Sequence, residues 1–179
     1  MKPISEMSQI EMAAYIQSSL LDAGIDVVLS GGSAVSFYSS DQYVSKDLDL
    51  INAHFAKRRE IRVNMERIGF HEKGRYFTHD ESPFLVEFPE GPLAVGEEPV
   101  KEICTFELAT GTLRVLSPTD CVKDRLCAYY FWNDRQGLAQ AELVAKNQQV
   151  NLEELKRWSK TQRNAEKFDV FKGQLVDSQ

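Results

Sequence analysis

The chain has 179 residues, of which 42% are hydrophobic and 27% charged. This is the size of one domain, or one domain with a short appendage, and the composition excludes disorder over most of its length. No apolar run approaches the ~18 residues of a membrane span. The opening MKPISEMSQIEM lacks the apolar core of a signal peptide, so a cytoplasmic protein is expected. Cys104, Cys121 and Cys127 are odd in number and show no CxxC spacing, which argues against a disulfide scaffold or a structural zinc site. The net charge of −6 argues against a dedicated nucleic-acid binder, whose affinity comes mainly from neutralising phosphates. That charge is segregated. Residues 54–75 hold seven bases against three acids, and residues 80–102 hold seven acids against one base.

In chain order, Ser8 with Glu11 fits a capping box, and Ile10, Ala13, Ala14, Ile16, Leu20 and Leu21 follow the helical period up to Gly24. Residues 25–29 are short, apolar and partly β-branched, which predicts a strand. Gly31 and Gly32 break it, residues 33–38 predict a short helix, and residues 39–46 a polar loop. The run 47–51 alternates strictly, with Asp47 and Asp49 on one face and Leu48 and Leu50 on the other. A helix is expected over 54–68. Strands are expected at 75–78 and 84–88, then a loop over 89–96, then a hairpin of 101–108 with 112–116. Ser117-Pro118, with Asp120 in the box position, opens a helix. Further helices are predicted at 135–146, at 151–159 with Asn151 as cap, and at 161–172. The expected fold class is α/β (α+β). Residues 1–116 would form a small mixed sheet with flanking helices, and residues 117–179 a helical segment packed on it as one compact unit.

The chemistry concentrates in residues 28–50. Two carboxylates two apart on a strand project from one side, so Asp47 and Asp49 can converge on one or two hard cations. The Gly31-Gly32-Ser33 turn into a helix suits phosphate. Absent side chains allow close approach, and helix-start N–H groups with the Ser33 hydroxyl can bind phosphate oxygens. Glu87 sits inside an apolar strand, where an unpaired carboxylate is costly. On a neighbouring strand it would stand beside Asp47 and Asp49. Asp80 and Glu81 are the rival acids, in a polar loop.

These residues together resemble the nucleotidyltransferase superfamily with the DNA polymerase β-like palm. In this sequence Gly31, Gly32 and Ser33 match that family's turn, Asp47 and Asp49 its metal pair, and Glu87 its third acid. The resemblance is strongest to minimal abortive-infection toxin-type enzymes, through Gly31-Gly32-Ser33-Ala34 and Ser45-Lys46-Asp47-Leu48-Asp49. It implies a palm over residues 1–116 and two Mg2+ ions held by Asp47, Asp49 and Glu87. It also implies transfer of a nucleoside monophosphate from an NTP to an acceptor hydroxyl, with Lys123 on the triphosphate. The tail's Lys123, then Asp134 and Arg135, form a looser version of the family's helix lysine followed by an arginine and an aspartate, in a different order. The toxin-type relatives favour RNA or protein as acceptor over a small molecule such as an aminoglycoside.

Lys57, Arg58, Arg59 and Arg62 form a basic helical patch that could meet such an acceptor; the plainer reading is a solvated helix face. The run Tyr129, Tyr130, Phe131 and Trp132 spreads around a helix, so some of these rings pack inside and one or two face a cleft. Two other readings compete. One is a nucleotidyltransferase-fold binding or regulatory module without turnover. The other is an antitoxin-like α/β protein whose helical tail meets a protein partner.

Overall fold

A computed structural model describes residues 2–40 and 42–176. Helix α1 (Gln9–Leu21) starts on the expected capping box. The Ser8 hydroxyl accepts from the Glu11 N–H, and the Glu11 carboxylate accepts from the Ser8 N–H. β1 (Val27–Ser30) runs directly into α2 (Gly31–Tyr38), two residues earlier than the predicted helix. β2 (Asp47–Asn52) follows, then α3 (Arg58–Arg67), β3 (His71–Lys73), β4 (Tyr76–Thr78) and β5 (Leu85–Glu87). A small two-stranded unit, β6 (Ala94–Val95) with β7 (Glu98–Pro99), precedes the hairpin of β8 (Ile103–Leu108) and β9 (Gly111–Leu116). Four helices complete the chain: α4 (Pro118–Trp132), α5 (Arg135–Asn147), α6 (Leu152–Thr161) and α7 (Ala165–Val176).

Seven strands form one mixed sheet in the order β3-β4-β5-β2-β1-β9-β8. β2 lies antiparallel to β1 and parallel to β5. One face carries Leu29, Leu48, Leu50 and Val86, all fully buried. The alternation of β2 puts Asp47 and Asp49 on the other face. α1 packs across β9 and β1, and α4 and α5 pack on α2. One hydrophobic core runs from Met7 to Phe171, so the tail helices share it with the sheet. Among the described residues no helix is long and apolar enough to cross a membrane.

Three further differences from the sequence reading have local causes. α3 starts at Arg58 because the Asn52 side chain orders the preceding turn. It donates to the Ala56 carbonyl at 2.7 Å and accepts from the Ala56 N–H at 3.1 Å, while Phe55 sits at φ +58°. β3 is not marked in the sequence, because His71-Glu72-Lys73 is polar and mostly exposed and shows no apolar alternation. α7 starts at Ala165 because the chain turns through Arg163 at φ +58° after α6 has run on to Thr161.

Gln17 joins α1 to two strands. Its amide donates to the Val27 carbonyl at 3.2 Å and the Arg114 carbonyl at 2.7 Å, and its oxygen accepts from the Arg114 N–H at 2.9 Å. This side chain is buried where β1 and β9 pair at Leu29 opposite Val115. Replacing it with an apolar residue strands buried backbone groups, at about 1–3 kcal/mol. Gln17→Leu is therefore expected to lower the urea midpoint with an unchanged slope; an unaltered midpoint would mean the amide bonds contribute nothing.

Candidate active site

Three carboxylates sit on one face of the central strands. Across the sheet Asp49 pairs with Ser30 of β1 and with Glu87 of β5. Directly paired residues share a face, and Asp47 joins them two positions earlier on β2. Ser45 fixes how the chain enters β2. Its hydroxyl donates to the Asp47 carbonyl at 3.0 Å and accepts from the Asp47 N–H at 3.3 Å.

The turn from β1 to α2 is built around Asp49. Gly31 holds φ +61°, and a Cβ there would collide with the Asp49 Oδ2. Glycine is thus required twice, for the left-handed backbone and for the space the carboxylate fills. At Gly32 a Cβ would meet the Ser45 hydroxyl at 3.1 Å and the Tyr43 hydroxyl at 3.3 Å. Ser33 is fully buried, and its hydroxyl donates to the Ser30 carbonyl at 3.1 Å.

Helix α4 supplies two charged groups that the sequence reading did not single out. Burial pushes the Asp49 carboxyl up to about 6; the Arg125 charge opposes this, and the charges of Glu87, Asp124 and Asp47 reinforce it. Arg125 is bound by Asp124 through two nitrogens, at 2.6 and 3.0 Å, and donates to Gln140 at 3.3 Å. Burial works against the Arg125 charge, but the Asp124 carboxylate outweighs it and its pKa is raised. A signal for this pair was present in the sequence: Asp124 and Arg125 directly follow Lys123 on the helix already chosen.

Lys123 itself points elsewhere. It is 3% exposed, and its ammonium donates to Asp120 at 2.9 Å and Glu154 at 3.0 Å. Two residues along a helix is a rotation of about 200°, so Lys123 and Arg125 lie on nearly opposite sides. The structure brings Asp47, Asp49 and Glu87 onto one face, against Gly31 and beside Arg125, and leaves Lys123 out of that group. Asp134 caps α5 by accepting from the Gln136 N–H at 2.9 Å, and Arg135 is exposed.

Glu87 is engaged by Arg75 at 3.6 Å, and the Arg75 guanidinium stacks on Tyr76. Among the described residues no three His, Cys, Asp or Glu side chains are grouped closely enough to hold a metal ion. The donors available are nonetheless all carboxylate oxygens, the chemistry a hard cation takes. The basic patch is partly spent inside the protein. Arg58 and Arg62 both reach Glu72, at 2.8 and 3.7 Å, and Arg58 also covers the Phe77 ring. Beside Glu87 opens a cleft of about 700 Å³, walled by Arg58, Arg75, Phe88 and Gly91 among others.

The fold with this carboxylate row at its centre is the nucleotidyltransferase fold, and solved structures share it. Over 96% of this chain and 99% of its own, the enzyme ANT(2")-Ia, solved with adenylyl-2"-tobramycin, superposes with a TM-score of 0.52 at 16% identity. A nucleotidyltransferase-like antigenic protein from Paracoccidioides brasiliensis matches with a TM-score of 0.56 at 13% identity, over 76% of this chain and 74% of its own. The lincosamide antibiotic adenylyltransferase LnuA, solved with lincomycin, matches with a TM-score of 0.52 at 12% identity, over 79% and 99%. No protein-family model matches the sequence, and no curated protein matches it.

Two outcomes test the site. Between the ordinary Asp49 pKa of 3.8 and about 6, the folded chain holds a proton that the unfolded chain has lost, so this group lowers stability as pH rises through that window. In metal-free protein, Asp49→Asn is expected to raise stability at pH 8 by on the order of 2 kcal/mol. The gain should shrink towards pH 4, and scanning calorimetry at both pH values checks it. Lys123→Met leaves buried Asp120 without its cation, while Glu154 keeps Lys101 and Arg157, and is expected to cost about 3 kcal/mol in urea unfolding. A stable variant would contradict the structural role.

Proposed function

We propose that the protein transfers a nucleoside monophosphate from an NTP to a hydroxyl of a small-molecule acceptor. The observation that carries this reading is the row of Asp47, Asp49 and Glu87 on one sheet face, against the Gly31-Gly32 turn. The fold shared with adenylyltransferases supports it. Asp47, Asp49 and Glu87, drawn closer together than they stand here, would hold two Mg2+ ions. When bound, these supply charge neutralisation for the attacking and leaving oxygens of an in-line displacement.

The chain's own residues do the rest. Glu87 takes the proton of the acceptor hydroxyl. The acceptor oxygen then bonds to the α-phosphorus as the bond to the bridging oxygen breaks, and pyrophosphate leaves. Gly31 makes room for Asp49 and Gly32 for the Ser45 and Tyr43 hydroxyls, and the N–H groups at the start of α2 would meet the triphosphate. Arg125, on the opposite wall, offsets negative charge that builds around Asp49. Lys123 contributes by fixing α4.

The cleft beside Glu87 supports a small acceptor, since about 700 Å³ suits a drug-sized molecule. Pairing of Arg58 and Arg62 with Glu72 weakens the case for RNA on that patch. ANT(2")-Ia and LnuA were solved with antibiotic-derived ligands, and an aminoglycoside or lincosamide is the first acceptor to try. One observation favours the reading without turnover: Arg75 engages Glu87.

Labelled NTPs, Mg2+ and a panel of hydroxylated antibiotics, with cell RNA and protein alongside, form the decisive assay. Label is expected on a small molecule. Asp47→Ala should remove transfer by at least about 100-fold while leaving the thermal midpoint unchanged or raised, because it relieves carboxylate repulsion. NTP binding without transfer to any acceptor would favour the binding module, and label on RNA or protein would overturn the small-acceptor assignment.

A further inference from the structure

The aromatic run at the end of α4 divides into two halves with different fates. Tyr129 and Tyr130 are buried. Tyr130 stacks on Trp158 at 5.6 Å between centroids and shares a 2.7 Å hydrogen bond with Ser159. Lys167 donates to the carbonyls of both tyrosines and lies over the Tyr129 ring. Phe131 and Trp132 are instead 52% and 77% exposed, edge to face at 6.1 Å. Exposing two large rings at one helix end is costly unless something covers them.

Their position on the helix indicates what covers them. Phe131 is seven residues after Asp124, and Trp132 is seven after Arg125. Seven residues return a helix to within about 20° of the same direction, roughly 10 Å further along. Both rings therefore extend the face of α4 that carries Asp124 and Arg125, the two α4 charges that act on Asp49. Long side chains on a helix also lean towards its N-terminus, so these rings lean back over that turn.

We propose that Phe131 and Trp132 form the stacking platform for the nucleobase of the donor NTP; this rests on the nucleotidyl-transfer reading above. The α-phosphate belongs at the carboxylate row, and the sugar sets the base several ångströms away from it, on the scale of roughly one to two helical turns. Base–aromatic stacking contributes about 1–3 kcal/mol per base. Lys167, Trp158 and Ser159 hold the end of α4 in place, so the platform stands ready before the nucleotide arrives.

The two tryptophans make the test direct. Trp158 is fully buried, with its N–H on the Val95 carbonyl at 3.2 Å, so a ligand-induced emission change belongs to Trp132. The full chain is titrated with Mg2+ and α,β-methylene NTP analogues, and separately with Mg2+ and inorganic tripolyphosphate. Expected are quenching of Trp132 by the analogue but not by tripolyphosphate, and analogue affinity about tenfold or more weaker in a Phe131→Ala, Trp132→Ala double variant. Tripolyphosphate affinity and the thermal midpoint should stay at wild-type values in that variant, and Trp132→Phe should retain most of the analogue affinity. Wild-type analogue affinity in the double variant overturns the platform and leaves nucleotidyl transfer standing. The same holds if only the acceptor KM rises, which would make the pair an acceptor contact. Equal loss of analogue and tripolyphosphate affinity overturns it as well. No analogue binding by the wild type, with or without Mg2+, overturns the nucleotidyl-transfer reading itself.

Discussion

The site depends on one steric constraint: the Asp49 carboxylate occupies the space where a side chain at residue 31 would be. The register of β1 on β2 places Asp49 opposite Ser30, the last residue before α2. The chain must then leave the sheet at φ +61° and start a helix without a Cβ. Turn and carboxylate are one unit. Any residue but glycine at position 31 would displace Asp49 or the helix start. The helix start in turn holds the β2 entry, because the Ser36 hydroxyl accepts from the Ser45 N–H at 2.9 Å and donates to the Gly32 carbonyl at 3.2 Å.

Burying Asp49 there has an electrostatic consequence. Asp47, Glu87 and Asp124 add negative charge around it, and Arg125 is the cation that opposes them. A folded chain that selects only for stability would replace such a group, since like charges in a desolvated place raise free energy. Retaining it makes sense where a cation is to be bound, because the same repulsion becomes attraction for a divalent ion. The other bases of the neighbourhood are already paired: Arg75 with Glu87, and Arg58 and Arg62 with Glu72. The segregation of charge along the sequence is bridged in space by Arg75 on Glu87, while Arg58 and Arg62 pair with Glu72 inside the basic segment itself.

Much of this was legible in the sequence. Gly31-Gly32 followed by Asp47-Leu48-Asp49 places a tight turn and a same-face acid pair on adjacent strands through local rules alone. Glu87 was legible because a carboxylate in an apolar strand demands a partner. Caps at Ser8, Ser117 and Asn151 each formed as their spacing indicates. What was not legible depends on long-range contacts. β3 carries no apolar alternation, and β6 and β7 are two residues each among prolines and glycines. Choosing Arg125 rather than Lys123 as the cation beside the site requires the rotation of α4 about its axis, which the hold of Asp120 and of Glu154 on Lys123 sets.

That rotation is what gives the helical tail its part in the site. Lys123 is buried between Asp120 and Glu154, and Glu154 is itself held by Lys101 and Arg157. A buried ion pair adds little net stability over an apolar replacement, but it specifies one geometry, because turning the helix would leave each charge unpaired in a desolvated place. With Lys123 locked towards α6, Arg125 lies on the opposite side of α4, where it pairs with Asp124, reaches Gln140 of α5 and acts by its charge on Asp49. The stacking of Tyr130 on Trp158 fixes the far end in the same sense. One lysine buried on the wrong side for phosphate binding thus orients the arginine two residues later on the side where the carboxylates lie.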